Sequence, residues 1–196
     1  MKTPNPQQPK EQYKILFCGP VGSGKTAAVR AVSDIAVVGT DMRATDMVAN
    51  KKSHTTVAMD YGMLHFDDNV KVHLYGTPGQ DRFDFMWQLL SKGALGLVIL
   101  IDNSEMNPLG DLEHYLRSFG DFLRHPDRAV VIGITHCDKP SRLTLEHYRE
   151  WLSAKDLGIP VFEVDARERD HVKTLLLVLI ALLDPATSRK RGQSAR

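Results

Sequence analysis

Lys25 and Thr26 close the stretch Cys18-Gly19-Pro20-Val21-Gly22-Ser23-Gly24-Lys25-Thr26, where Gly19 is followed after four residues by Gly24, a lysine and a hydroxyl. These residue types at this spacing suit one task, the grip of a polyphosphate. The glycines let the backbone wind so that successive N–H groups point inward and form a nest for phosphate oxygens. The Lys25 ammonium would reach the outer phosphates, the Thr26 hydroxyl would ligate Mg²⁺, and a helix starting here would aim its positive end at the anion. A Gly-rich turn capping a helix is the plainer alternative. Against it, an apolar run, Tyr13 to Phe17, precedes the loop and a helical pattern, Ala27 to Val32, follows it, as the motif requires.

Other polar segments recur at the ends of apolar runs: Gly76 to Phe83, Asp102-Asn103-Ser104, Thr135 to Lys139, and Val164 to Arg167. The elements between them can be read from periodicity. Strand one spans about 13–17, and the first helix fades near Ala36. Residues 38–54 are polar and aperiodic, a long connection of the kind that is usually functional. Residues 56–66 and 70–75 read as strands joined by the turn Asp67-Asp68-Asn69, and so short a turn makes an antiparallel hairpin. A helix follows over 85–90. The unbroken apolar run Leu95 to Ile101 predicts a strand buried on both faces. Apolar steps of three and four over 112–123 predict a helix. Then come a strand at 129–134, a helix at 144–155, a strand at 161–164 and a helix over 170–183 that Pro185 stops. This alternation predicts an α/β fold, a doubly wound, mostly parallel six-stranded sheet with one antiparallel edge strand. Ligands of such sheets sit beyond the carboxyl ends of the strands, where the polar segments fall.

The 196 residues are 42% hydrophobic and 25% charged, enough for one domain with a sizeable core. The expected division is a loose lead-in at 1–11, a domain at 12–184 and a basic flexible tail at 185–196. A net charge of +1 gives no reason to expect nucleic-acid or bulk membrane binding. Cys18 and Cys137 show neither metal spacing nor a disulfide framework, which suits a reducing cytoplasm. No apolar run reaches membrane-spanning length. Lys2 and the ending Ser194-Ala195-Arg196 lack myristoylation and prenylation signals.

Over residues 12–184 the order and spacing of these segments resemble the Ras-like small GTPases, the guanine-nucleotide branch of the P-loop NTPase fold. The resemblance implies GTP or GDP with Mg²⁺ as ligands, slow hydrolysis of GTP, and action as a molecular switch. By it, Gly19, Val21, Gly22, Ser23, Gly24, Lys25, Thr26 and Ala27 would line the phosphates. Thr56-Val57-Ala58-Met59-Asp60-Tyr61 looks like a Rab-type switch I ending. Thr56 would then ligate Mg²⁺ beside Thr26, with Thr55 a competitor for that place. Pro78-Gly79-Gln80 looks like switch II: the Gly79 N–H would meet the γ-phosphate and Gln80 would orient the attacking water. Thr135-His136-Cys137-Asp138-Lys139 stands where the family carries Asn-Lys-x-Asp. There Asp138, an acceptor-only carboxylate, would read the two adjacent donors of guanine. Asp165, Ala166 and Arg167 take the place of the Ser-Ala-Lys motif, with the Ala166 N–H on the guanine carbonyl.

Two departures carry information. Gly76 replaces the family's switch II aspartate, as in bacterial gliding-motility (Mgl-like) GTPases, which the form Gly-Thr-Pro-Gly-Gln resembles. That likeness implies a small roadblock-fold partner and a role in polarity, motility or surface regulation. It leaves open whether Asp60, Asp102 or no residue supplies the lost carboxylate. Val21 stands where Ras has glycine and would obstruct an arginine offered by a partner, making Arg43 the candidate internal arginine and Arg82 a second. Two alternatives remain: a nucleotide-holding scaffold with negligible hydrolysis, favoured by Gly76, and a P-loop ATPase using Asp102 as its strand-end carboxylate.

Overall fold

Two strands, β5 (Gly96–Asp102) and β6 (Ala129–Thr135), are buried at every position, because helices cover both faces of the sheet they centre. The computed structural model describes residues 11–43, 56–66, 69–79, 84–141 and 143–183. Beside β5 lies β1 (Glu11–Cys18), then β4 (Val70–Gly76), β3 (Thr56–His65) and β2 (Val38–Arg43); beyond β6 lies β7 (Val161–Glu163). The order is β2-β3-β4-β1-β5-β6-β7. All pairings are parallel except β2–β3 and β3–β4.

Alternation along β1 divides the core. Ile15 and Phe17 pack on one face with Val29 and Val32 of α1 (Lys25–Val32) and Leu175 and Leu179 of α6 (Arg169–Leu183). Leu16 and Cys18 pack on the other with Trp87 of α2 (Asp84–Leu90), Leu112 and Tyr115 of α3 (Pro108–Ser118), Phe122 of α4 (Gly120–Leu123), and Tyr148 and Leu152 of α5 (Leu145–Ala154). The helical apolar runs thus pack on the core, with Leu177 of α6 left half-exposed. No described helix is long and apolar enough to cross a membrane.

The expected α/β class and the β3–β4 hairpin are present, with two differences in detail. The described sheet has seven strands rather than six, because residues 38–43 form β2. A strand at an open edge is held by backbone bonds to one neighbour and needs no apolar alternation, so periodicity passes it over. β3 is therefore an interior antiparallel strand. The helix expected over 112–123 is divided at Phe119, whose backbone (φ −98°, ψ 21°) leaves the helical region just before Gly120, a poor helix former.

Candidate functional site

Register aligns the strand ends that build the site. Phe17 pairs with Gly76, Cys18 with Ile99, Asp102 with Thr135, and Ile134 with Glu163. The segments following β1, β4, β5, β6 and β7 therefore leave one edge of the sheet together.

The loop after β1 takes the wound form that its glycines suggest. Gly24, the N-cap of α1, has φ 93°, and Gly19 has φ 142°, values that side chains disfavour. A Cβ on Gly19 would also collide with the Leu100 carbonyl oxygen, and one on Gly24 would stand 2.7 Å from the Ala166 Cβ. α1 carries no acidic residue in its first turn, so nothing there opposes an anion at its positive end. Lys25 is buried. Its Nζ donates to the carbonyls of Gly19 (2.9 Å) and Pro20 (2.6 Å) and lies 3.5 Å from Ser23 Oγ. Burial pushes its pKa down to about 8, against the opposing pull of nearby negative groups that include Asp60.

Around this loop the switch-like segments are placed unequally. A Cβ on Gly79 would stand 2.7 Å from Lys25 Nζ and 2.8 Å from the Val21 nitrogen. Gly79 therefore packs on the loop at a distance only glycine allows. Two aromatic donors hold this segment: Trp87 Nε1 to the Pro78 carbonyl (3.1 Å) and the Tyr115 hydroxyl to the Gly79 carbonyl (3.4 Å). Neither anchor was expected from sequence, where both residues fall only within expected helices.

The Thr26 hydroxyl donates to Asp60 Oδ2 (2.5 Å). Asp60 lies opposite Gly76 in the β3–β4 ladder. Thr56 opens β3, four residues, or about 13 Å of extended chain, before Asp60. The register sets it opposite Arg43. The structure thus brings Asp60 to Thr26. Gln80, Thr55 and Arg82 lie outside the described residues.

At the other end of the site, a cavity of about 630 Å³ is lined by Gly22, Ala27, His136, Asp138, Ala166 and Arg167 among others, within the size range of small-ligand pockets. Thr135 is buried, and its Oγ1 lies 3.2 Å from the Ser23 carbonyl and 3.1 Å from that of Ile101. One hydroxyl therefore ties the glycine-wound loop to β5 and β6. His136 has a left-handed backbone (φ 55°), and its Nδ1 lies 3.0 Å from Asp102 Oδ2. The other Asp102 oxygen accepts from the backbone and hydroxyl of Ser104. Both oxygens of Asp102 are thus engaged, one by His136 and the other by Ser104. Asp138 stands exposed in the turn after His136. Asp165 is forked by Arg167 (2.9 and 2.6 Å), whose guanidinium holds that carboxyl far below the usual carboxylate range. The Asp165 N–H donates to His171 Nδ1 (3.0 Å), a contact with no signal in the sequence pattern.

The family model described as conserved hypothetical ATP binding protein matches residues 36–157. Among curated relatives, the chain is similar to the Ras-related protein SEC4 of Saccharomyces cerevisiae, 26% identical over 174 residues (87% of this chain, 74% of SEC4). It is 24% identical to the Ras-related protein Rab-10 of Caenorhabditis elegans over 165 residues (83% and 76%). It is 23% identical to the Ras-related protein Rab-1C of Dictyostelium discoideum over 180 residues (90% and 83%).

Proposed function

The chain belongs to the family of conserved hypothetical ATP binding proteins, and from that premise we propose that it is a small nucleotide-binding switch that takes GTP and hydrolyses it slowly to GDP. One observation carries the proposal. Lys25 is a buried ammonium inside a glycine-wound loop at a helix N-terminus, and its hydrogen bonds run to neutral groups. A buried cation whose hydrogen bonds all go to neutral groups is costly even with the pull of Asp60 nearby, and a polyphosphate would supply further charge at this helix N-terminus. In this reading Lys25 exchanges its loop carbonyls for phosphate oxygens.

Mg²⁺ fits the oxygens present. Thr26 Oγ1 and Asp60 Oδ2 are hard donors, and this ion is ordinarily held by one or two protein groups plus substrate phosphates rather than by an all-protein cage. When bound, it would neutralise charge on the outer phosphates. Gly79, which packs on the loop, would respond to the terminal phosphate. For Thr56 to join the site, the first residues of β3 leave their register with β2, which makes that ladder the moving part. Gln80 is assigned the orientation of water.

Guanine is preferred over adenine on Asp138, whose carboxylate only accepts and so suits the adjacent N1–H and amino donors of guanine. The names of the Ras-related relatives point the same way. The second reading, an adenine nucleotide, is favoured by the family description. Its proposed strand-end carboxylate, Asp102, is engaged by Ser104 and His136 instead. Competition of GTP against ATP in a calorimetric titration decides between the two, and loss of all binding to both refutes the switch. Phosphate release, compared between the wild-type chain and Gln80→Leu, separates a hydrolase from a scaffold: unchanged slow release assigns the scaffold. A cytoplasmic setting, a roadblock-fold partner and a role in polarity or motility are the finer proposal, supported by the free thiols and by the Gly-Thr-Pro-Gly-Gln likeness.

A further inference from the structure

A β4 strand that ends in glycine carries no acid to the metal side of the site. Its antiparallel neighbour does. Asp60 and Gly76 are directly opposed in the ladder, and residues so opposed project to the same face with Cβ atoms ordinarily about 4.5–5.5 Å apart. A carboxylate on either strand therefore serves the same space. The two places crowd one another here. A Cβ added to Gly76 would stand 3.1 Å from the Asp60 Cβ and 3.2 Å from its Oδ2. That same Oδ2 accepts from the Thr26 hydroxyl at 2.5 Å. The carboxylate also acts on Lys25, whose ammonium it stabilises against burial. Asp60 is thus fixed beside the two loop residues that would meet the phosphates and their cation.

We propose that Asp60 supplies, from β3, the metal-facing carboxylate that position 76 does not, and that Gly76 is glycine because Asp60 fills its place. The inference rests on the nucleotide reading above and adds the acid that holds Mg²⁺, directly or through a water, to Thr26. A purely structural bond from Asp60 to Thr26 would influence folding and nucleotide affinity but would not respond to Mg²⁺.

The test is a Mg²⁺ titration of nucleotide release, using fluorescently labelled GDP or ADP, whichever the wild-type chain holds. It compares wild type, Asp60→Asn, and the exchanged pair Asp60→Gly with Gly76→Asp. Asp60→Asn is expected to raise the Mg²⁺ concentration for half-maximal retention by about 10- to 100-fold, the usual effect of losing such a group, with release of each variant referred to its own rate without Mg²⁺. The exchanged pair, which returns an acid to the same rung, is expected to recover most of that loss. The assignment is overturned if Asp60→Asn keeps the wild-type Mg²⁺ midpoint, or alters release equally with and without the ion. Should Asp60→Asn fail to fold by circular dichroism, the exchanged pair decides: recovered Mg²⁺ dependence supports the assignment and its absence overturns it. A wild-type chain that holds neither nucleotide overturns the parent reading as well. Wild-type binding with an unmoved Asp60→Asn midpoint leaves that reading standing and removes only Asp60.

Discussion

The proposed phosphate end of the site and its proposed base end are built by different means. Residues 19–26 form their cradle from backbone: three glycines with positive φ, a helix start, and a lysine folded onto loop carbonyls. The base end relies on side chains, namely Thr135, His136, Asp138 and the Asp165–Arg167 pair. Backbone geometry tolerates few sequences, since a Cβ at Gly19 or Gly24 would meet Leu100 or Ala166. A side-chain task can pass to another residue that offers the same group. Thr135 illustrates this: a single hydroxyl spans from the loop to β5 where the resembling family uses asparagine. The two ends touch at Gly24 and Ala166, so a ligand gripped by one is fixed in reach of the other.

The comparison can be broken hardest at Lys25. Lys25→Ala is expected to weaken nucleotide binding by at least about 100-fold, since charged hydrogen bonds contribute about 1.5–3 kcal/mol each; calorimetry reads it, and retention of near-normal affinity would remove the phosphate end from the account. At the base end, Asp138→Asn is expected to swing preference from guanine to xanthine by about 100-fold or more, because a polar mismatch leaves buried groups unpaired. A competition assay in which guanine keeps its lead would detach Asp138 from the base.

A pH titration sharpens the phosphate side. Burial lowers the Lys25 pKa to about 8, and a bound anion would raise it. Below about 8 the lysine is charged before and after binding, so affinity is flat. Above that value the free chain has lost the proton and must take one up, so affinity falls by up to about tenfold per pH unit. Titrations in buffers of differing ionisation enthalpy would show the proton uptake, and a flat profile to pH 10 would contradict the burial.

Smaller effects test the join and the rim. Thr135→Val removes a bond shared by two buried carbonyls and is expected to cost about 1 kcal/mol of stability, with a several-fold loss of affinity; unfolding in urea and calorimetry measure the two. Arg167→Ala is expected to change affinity by no more than about twofold, since its guanidinium is exposed and committed to Asp165, and exposed pairs contribute little. A large loss there would place Arg167 on the ligand.

The glycine loop, the buried strands β5 and β6, the hairpin and the ordered polar segments were legible because each follows from local rules. Backbone φ demands glycine, two-sided burial demands apolar runs, and a three-residue turn demands antiparallel pairing. The edge strand β2 was not legible, since one ladder of backbone bonds leaves no pattern in side chains. Nor were the anchors Trp87 and Tyr115, which look like any core aromatics until their polar atoms are seen to hold Pro78 and Gly79.

By itself the sequence determined the α/β order and the glycine-wound loop before α1, because the information for both lies within a few adjacent residues. Only the tertiary structure decided which acid faces Thr26 and which serves His136. Asp60 and Asp102 both sit on interior strands, and composition does not separate them. Strand register does: it sets Asp60 across from Gly76 and Asp102 beside Thr135, a relation between residues far apart in the chain that exists only once the sheet has formed.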